Sequence, residues 1–124
     1  MLPFGVSIRA GEPVSDQVIY AVHKAVVSEQ LRPGDPFPSV RTMSKELKIN
    51  PNTAFKIVAH LKREGLLEVQ PGRGTFVSSG YEPAAADKAK LLDKTIEALV
   101  VEARKLGLKN ADIHKAIDQH WEKL

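Results

Sequence analysis

FPSVRTMSKELKINPNTAFKIVAHLKREGLLEVQPGRGTFV, residues 37–77, decides how the rest of this chain is read. Ser39 can cap a helix, because its hydroxyl accepts an orphan backbone N–H. Val40, Met43 and Leu47 then fall on one face of two turns. Asn50 and Pro51 signal a second start: Asn supplies an acceptor, and Pro lacks the donor that would go unpaired. Ala54, Ile57, Val58 and Leu61 follow as an apolar stripe, and Gly65 takes the usual place just past a helix end. Leu66–Gln70 and Thr75–Val77 are β-prone and flank a Pro71-Gly72-Arg73-Gly74 loop, so a hairpin is expected. Two helices with a sharp joint, followed by a hairpin, make a helix-turn-helix with a wing, which holds its second helix toward a groove in DNA.

Upstream, a helix is expected to begin around Pro13, with Val14, Val18, Ala21, Val22, Ala25 and Val26 as its stripe. It must stop before Leu31-Arg32-Pro33-Gly34, and Pro36 and Pro38 keep the link extended. Residues 1–12 show no sustained period, although Val6, Ile8 and Ala10 alternate as a short edge strand would. Downstream, Ser78-Ser79-Gly80 reads as a hinge. Beyond it Ala85, Ala89, Leu92, Ile96, Leu99, Ala103 and Leu106 step by four and three in turn, as in a coiled-coil seam. A helix from about Pro83 to Leu106 would run roughly 35 Å. Gly107 closes it, and Asn110 is expected to cap a last helix with Ile113, Ala116, Ile117, His120, Trp121 and Leu124 on one face. Two helices cannot bury both stripes alone, so a second subunit is the natural cover. The expected fold is mainly α with a small β-hairpin. Residues 12–79 form the winged helix-turn-helix and residues 81–124 a two-helix dimerisation or effector tail.

Composition narrows the function. The chain has 124 residues, 43% apolar and 27% charged, as an ordinary folded protein does. It has no cysteine, which removes disulfides, thiolate metal sites and thiol nucleophiles. No apolar run approaches the roughly 20 residues of a membrane span, and the N-terminus lacks the pattern of a signal peptide, so a cytoplasmic location is expected. The net charge of +3 is unevenly placed. From Arg41 to Arg73, seven basic residues (Arg41, Lys45, Lys48, Lys56, Lys62, Arg63, Arg73) face three acidic ones (Glu46, Glu64, Glu68). From Tyr81 onward, basic and acidic residues balance. A surplus confined to one stretch points to an anionic partner there. His23, His60, His114 and His120 offer no ligand spacing, nor any nucleophile or paired carboxylate nearby. No metal, cofactor or enzymatic activity is expected.

Leu31-Arg-Pro-Gly-Asp-Pro-Phe-Pro-Ser39-Val-Arg41, Ile49-Asn-Pro-Asn-Thr53, Glu64-Gly-Leu and Gly72-Arg-Gly-Thr-Phe-Val77, in that order, resemble the DNA-binding domain of GntR-family bacterial transcription regulators. The Ser-Val-Arg and Asn-Pro-Asn-Thr variants with a two-helix tail are similar to the short YtrA-type subfamily. The resemblance implies a homodimeric, sequence-specific regulator, a repressor, binding an inverted-repeat operator. By position, it implies that Arg41 contacts the operator, that Asn50, Asn52 and Thr53 lie at the reading end of the recognition helix, and that Gly72 and Arg73 form a wing tip entering the minor groove. With the apolar stripe inward, Asn52, Thr53, Lys56 and Phe55 are left on the outer face, where Asn can bond adenine and a threonine methyl can touch thymine. Ser39 and Gly74 complete the expected DNA-contacting set. The expected dimer interface is the seam from Ala85 to Leu106 with Ile117 and Trp121.

Three residues depart from the family's pattern. Pro51 stands where many members have a basic residue, which removes one guanine contact. Phe55 replaces a polar or basic residue and is expected to pack on the wing, contact with thymine methyls being the other reading. Glu29 stands where a glycine commonly ends the first helix, so that terminus is expected to differ in geometry. The 44 residues after Gly80 leave no room for the large effector domain of longer relatives, and any small-molecule effector is unknown. The other class of function compatible with these residues is an antirepressor-like interaction module that pairs through its tail.

Overall fold

The computed structural model describes residues 1–79 and 85–124, and the side chains of all of these except 85–91. By contacts the chain divides into two compact units, Met1–Tyr81 and Glu82–Leu124. In the first, α1 (Val14–Val27), α2 (Val40–Leu47) and α3 (Pro51–Arg63) precede the antiparallel strands β1 (Leu67–Gln70) and β2 (Gly74–Val77). This is the winged helix-turn-helix order. The second holds α4 (Ala85–Lys105) and α5 (Asn110–Lys123).

α3 is the central element, packed by α1, α2 and β1. Its stripe of Ala54, Ile57, Val58 and Leu61 is buried, and Val18, Val22 and Ala25 of α1 and Met43 of α2 close on it. Val14, Ala21, Val26, Val40 and Leu47, the outer residues of the expected stripes, are half-buried against the same core. α2 has only eight residues, too short for stability by propensity, so it depends on Met43 and on its caps. Ser39 Oγ accepts the Thr42 N–H at 3.1 Å at one end. At the other, Lys48 takes a left-handed φ of 54°. There the Ile49 N–H donates to Ser44 O at 3.1 Å and Ser44 Oγ donates to Ile49 O at 2.7 Å. This is the joint, and α3 starts at once from Asn50.

A two-stranded hairpin alone is marginal in water, and the wing has two supports. Leu67 and Val77 are register partners and both buried, with Leu66 beside them. The Pro-rich link ahead of α2 also lies along β2: Gly34 N–H donates to Val77 O, Val77 N–H to Asp35 O and Phe37 N–H to Thr75 O, each at 2.8 Å. Pro36, which has no N–H to give, bridges to Phe76. The link is extended as expected, but it is also the anchor of the wing. Gln70–Arg73 turns on Pro71 followed by Gly72 at φ 76°, closed by Arg73 N–H to Gln70 O at 2.9 Å, the arrangement that favours Pro-Gly.

Three expectations are corrected. Val6, Ile8 and Ala10 form no strand. The N-terminal segment instead docks through Phe4, which is 3% exposed and stacked on Phe37 with ring centroids 5.8 Å apart. A short alternation cannot compete with an aromatic ring's burial. Asn110 does not cap α5; Lys109 does, its N–H donating to Asp112 Oδ2 at 2.9 Å, because a carboxylate in the first turn reaches back to the preceding amide. Glu29 does not alter the end of α1: at φ 63° it adopts the left-handed backbone that a glycine would. Buried Ala25 and Leu31 on either side, joined by Leu31 N–H to Ala25 O at 3.0 Å, impose that turn whatever the side chain.

In the second unit, Gly107 at φ 75° turns α4 into α5. Ala103, beside that turn, is buried, whereas Leu92, Ile96, Leu99 and Leu106 of the expected seam are exposed. Gly80 and Pro83, and the side chains of Ala85 and Ala89, lie outside the described residues. α5 presents Ile113, Ala116, Ile117, His120, Trp121 and Leu124 to an apolar groove of about 410 Å³ shared with Leu99.

The Glu29 geometry generates a stability prediction. A left-handed residue with a Cβ costs about 1–2 kcal/mol, and glycine's extra chain entropy returns about half of that. Glu29→Gly is therefore expected to stabilise the fold by about 0.5–1 kcal/mol, read as a higher urea midpoint at unchanged slope. A lower midpoint would mean that the Glu29 side chain contributes more than its backbone costs.

Candidate nucleic-acid interface

The inward stripe of α3 leaves Asn52, Phe55 and Lys56 exposed on its other side and Thr53 half-buried between. Arg41, in the first turn of α2, is exposed, as are Ser39, Asn50, Gly72, Arg73 and Gly74. The expected contact set thus lies at the start of α2, the first turns of α3 and the wing tip. These residues are not equally free. The Ser39 hydroxyl accepts from the Thr42 N–H and donates to Thr42 Oγ1 at 3.0 Å. Asn50 Oδ1 accepts the Asn52 N–H at 2.7 Å, which leaves the Asn50 side-chain amino group to donate outward. Pro51 has no N–H, so the opening of α3 offers phosphate little beyond the Thr53 amide. That end is built to place side chains rather than to bind an anion through its backbone.

Arg73 is laid along the wing. Its Nη1 donates to Gln70 Oε1 at 3.0 Å, and its guanidinium carbon lies 5.4 Å from the Phe76 ring centroid. Cation–π contact of this kind orients an exposed arginine with little energy, so the same donors can exchange Gln70 for an acceptor on a duplex. Gly72 and Gly74 have open space where a Cβ would stand, and both have positive φ, 76° and 117°. Glycine is required there by backbone angle, not by crowding.

Phe55 corrects the sequence reading. It does not pack on the wing but stands 64% exposed. The i to i+3 and i+4 spacing that buries Ala54, Ile57, Val58 and Leu61 turns position 55 outward, and no aromatic partner meets it among the described residues.

The surplus cations of this stretch face solvent. Arg41, Lys45, Lys48, Lys56, Lys62 and Arg63 are all exposed, and none belongs to an ion pair among the described residues. Two of the three carboxylates are already engaged. Glu46 meets the amino group of Met1. Glu64 Oε1 lies 3.0 Å from His23 Nε2 and 2.9 Å from His60 Nε2, tying α1 to the end of α3. His60 and Glu64 are four residues apart at the end of α3, a spacing that puts them on one face; His23 joins them only through the crossing of α1 and α3. Among the described residues no group of His, Asp or Glu is arranged to hold a metal ion, and no helix is long and apolar enough to cross a membrane.

A helix-turn-helix with an exposed second helix, a glycine-angled wing and unpaired cations defines a DNA-binding regulator. Residues 14–77 match the bacterial regulatory proteins of the gntR family, and the chain belongs to that family. It is a transcriptional regulator that binds DNA, from a family of regulatory proteins and not of enzymes. The chain is 34% identical over 114 residues to the uncharacterized HTH-type transcriptional regulator YhcF of Bacillus subtilis, covering 92% of this chain and 94% of that one. It is 29% identical over 112 residues to the HTH-type transcriptional repressor YtrA of the same organism, covering 90% and 86%. Among solved structures, a transcriptional antiterminator from Listeria monocytogenes EGD-e superposes with a TM-score of 0.80 at 23% identity, over 94% of this chain and 88% of that one. That likeness concerns the fold.

Proposed function

We propose that this chain is a homodimeric repressor that reads an inverted-repeat operator, residues 12–79 forming the DNA-binding domain and 81–124 the dimerisation tail. The observation that carries this reading is the pair of surfaces a single copy leaves uncovered. One is polar and cationic, around Arg41, Asn52, Lys56 and Arg73. The other is apolar, with Leu92, Ile96, Leu99, Ile117 and Trp121 all exposed, Trp121 at 81%. An apolar face of that extent on a two-helix unit calls for a second copy, and a two-fold dimer meets a two-fold operator with half-sites about one helical turn apart. The repressor sense is supported by the name of the YtrA relative. A protein of this function works where the chromosome is, in the bacterial cytoplasm.

Phosphate contacts from the free cations supply affinity, and Arg41, Asn52 and Thr53 supply sequence. Arg41→Ala is expected to remove about 1–3 kcal/mol of operator preference, whereas Lys62→Ala weakens all duplexes alike and lowers the salt slope by about one. Titration of operator and scrambled duplexes at several salt concentrations separates the two. Unchanged preference in Arg41→Ala would overturn that assignment, and absence of duplex binding at any salt would favour an antirepressor-like module instead.

Leu99→Asp places a charge on the apolar face without disturbing the first unit's core. Sedimentation is expected to show a dimer for the parent chain and a monomer for the variant at micromolar concentration. A parent monomer, or an unaltered dimer in the variant, would remove the proposed interface.

A further inference from the structure

The exposure of Phe55 does more than correct an expectation, because its neighbours restrict what can cover it. Asn52 lies one turn before it on the same face of α3, and Lys56 directly after it. Leaving a Phe ring in water forgoes a large apolar transfer term. A protein partner laying an apolar surface on Phe55 would also bury Asn52 and Lys56, at a cost unless each were bonded. The major groove of a duplex suits all three side chains: phosphate for the lysine, an adenine edge for the asparagine, and a pyrimidine C5-methyl group for the ring. That methyl is the apolar feature of the groove's base edges, and Phe has no donor or acceptor with which to read any other.

We propose that Phe55 is a specificity-determining residue that recognises a thymine C5-methyl in the major groove, next to the adenine bonded by Asn52. The inference rests on the operator reading and adds a base identity to it. The three-residue step from Asn52 to Phe55 advances roughly 4.5 Å along the helix, against about 3.4 Å per base step of DNA. The thymine therefore lies within one or two base pairs of the adenine. Pro51 brings no donor for guanine at the head of the same helix, so discrimination at these two steps combines one amide with one methyl contact.

The test removes the methyl rather than the protein side chain. The full-length chain first selects its preferred sites from a random duplex library. In the selected duplex each thymine is replaced singly by deoxyuridine, which keeps the pairing and the O4 acceptor and lacks only the methyl. One position per half-site is expected to lose about three- to fivefold in affinity for the parent chain, the size of one buried methyl. The same replacement should change affinity less than twofold for Phe55→Ala. Phe55 is exposed, so the variant leaves no core cavity. Restoring the methyl as 5-methylcytosine opposite guanine, compared with cytosine, should recover affinity at that position in the parent only. Deoxyuridine without effect at every position would overturn the proposal while leaving the operator reading intact, and would point to a protein cover for Phe55. An equal loss in Phe55→Ala would assign the methyl to another side chain and overturn it too. Failure to select any sequence would overturn the operator reading and this inference together.

Discussion

Ala54, Ile57, Val58 and Leu61 hold α3 in place by being removed from water against α1, α2 and β1. Each large side chain among them contributes about 1.5–3 kcal/mol of transfer free energy, and together they fix the rotation of the helix about its axis. Once that rotation is set, Asn52, Phe55 and Lys56 have no choice of direction. The proposed reading surface is therefore a by-product of the core: its residues are outward because their neighbours at three- and four-residue steps are inward. A core change that rolled α3 by a fraction of a turn would scramble recognition before it unfolded the domain.

The same economy applies to the short elements. α2 and the wing are each too small to stand alone, and each is tied to something made for another purpose. α2 is capped by Ser39 and by the Lys48 turn that also aims α3. The wing is sewn to the link that carries the chain from α1 to α2. Link, wing and α2 thus form one support, and Arg41 at its helical end and Arg73 at its β end are placed by a common set of backbone bonds.

The surplus of positive residues in the sequence is modest, but Glu46 and Glu64 are turned to internal partners, while the lysines and arginines around α2 and α3 have no ion pair among the described residues. Glu64 closes the end of α3 where the helix dipole is negative, with the imidazoles of His23 and His60 against it. The surplus cations are accordingly among the charges turned to solvent, which suits a polyanion.

Local signals in the chain were enough for the starts of α1, α2 and α3, the joint, the hairpin and the identity of the core stripes of those helices, because caps, Pro-Gly turns and apolar periodicity act over three or four residues. The family resemblance placed Arg41, Asn52 and Arg73 in the candidate site by position. Features made by residues distant in sequence were not legible. Phe4 on Phe37, the link along β2, and His23 on Glu64 all depend on how elements cross. Local pattern also misjudged two side chains and one backbone turn: Phe55, Asn110 and Glu29. For Phe55 and Glu29 the burial of neighbours set the outcome, and for Asn110 a better acceptor three residues beyond Lys109 took the cap. What the sequence alone determined is which faces of α1, α2 and α3 must be inside and where those helices must begin. Which side chains are left free to meet DNA was decided only by tertiary packing, because freedom is what remains after the rest of the fold has chosen its partners.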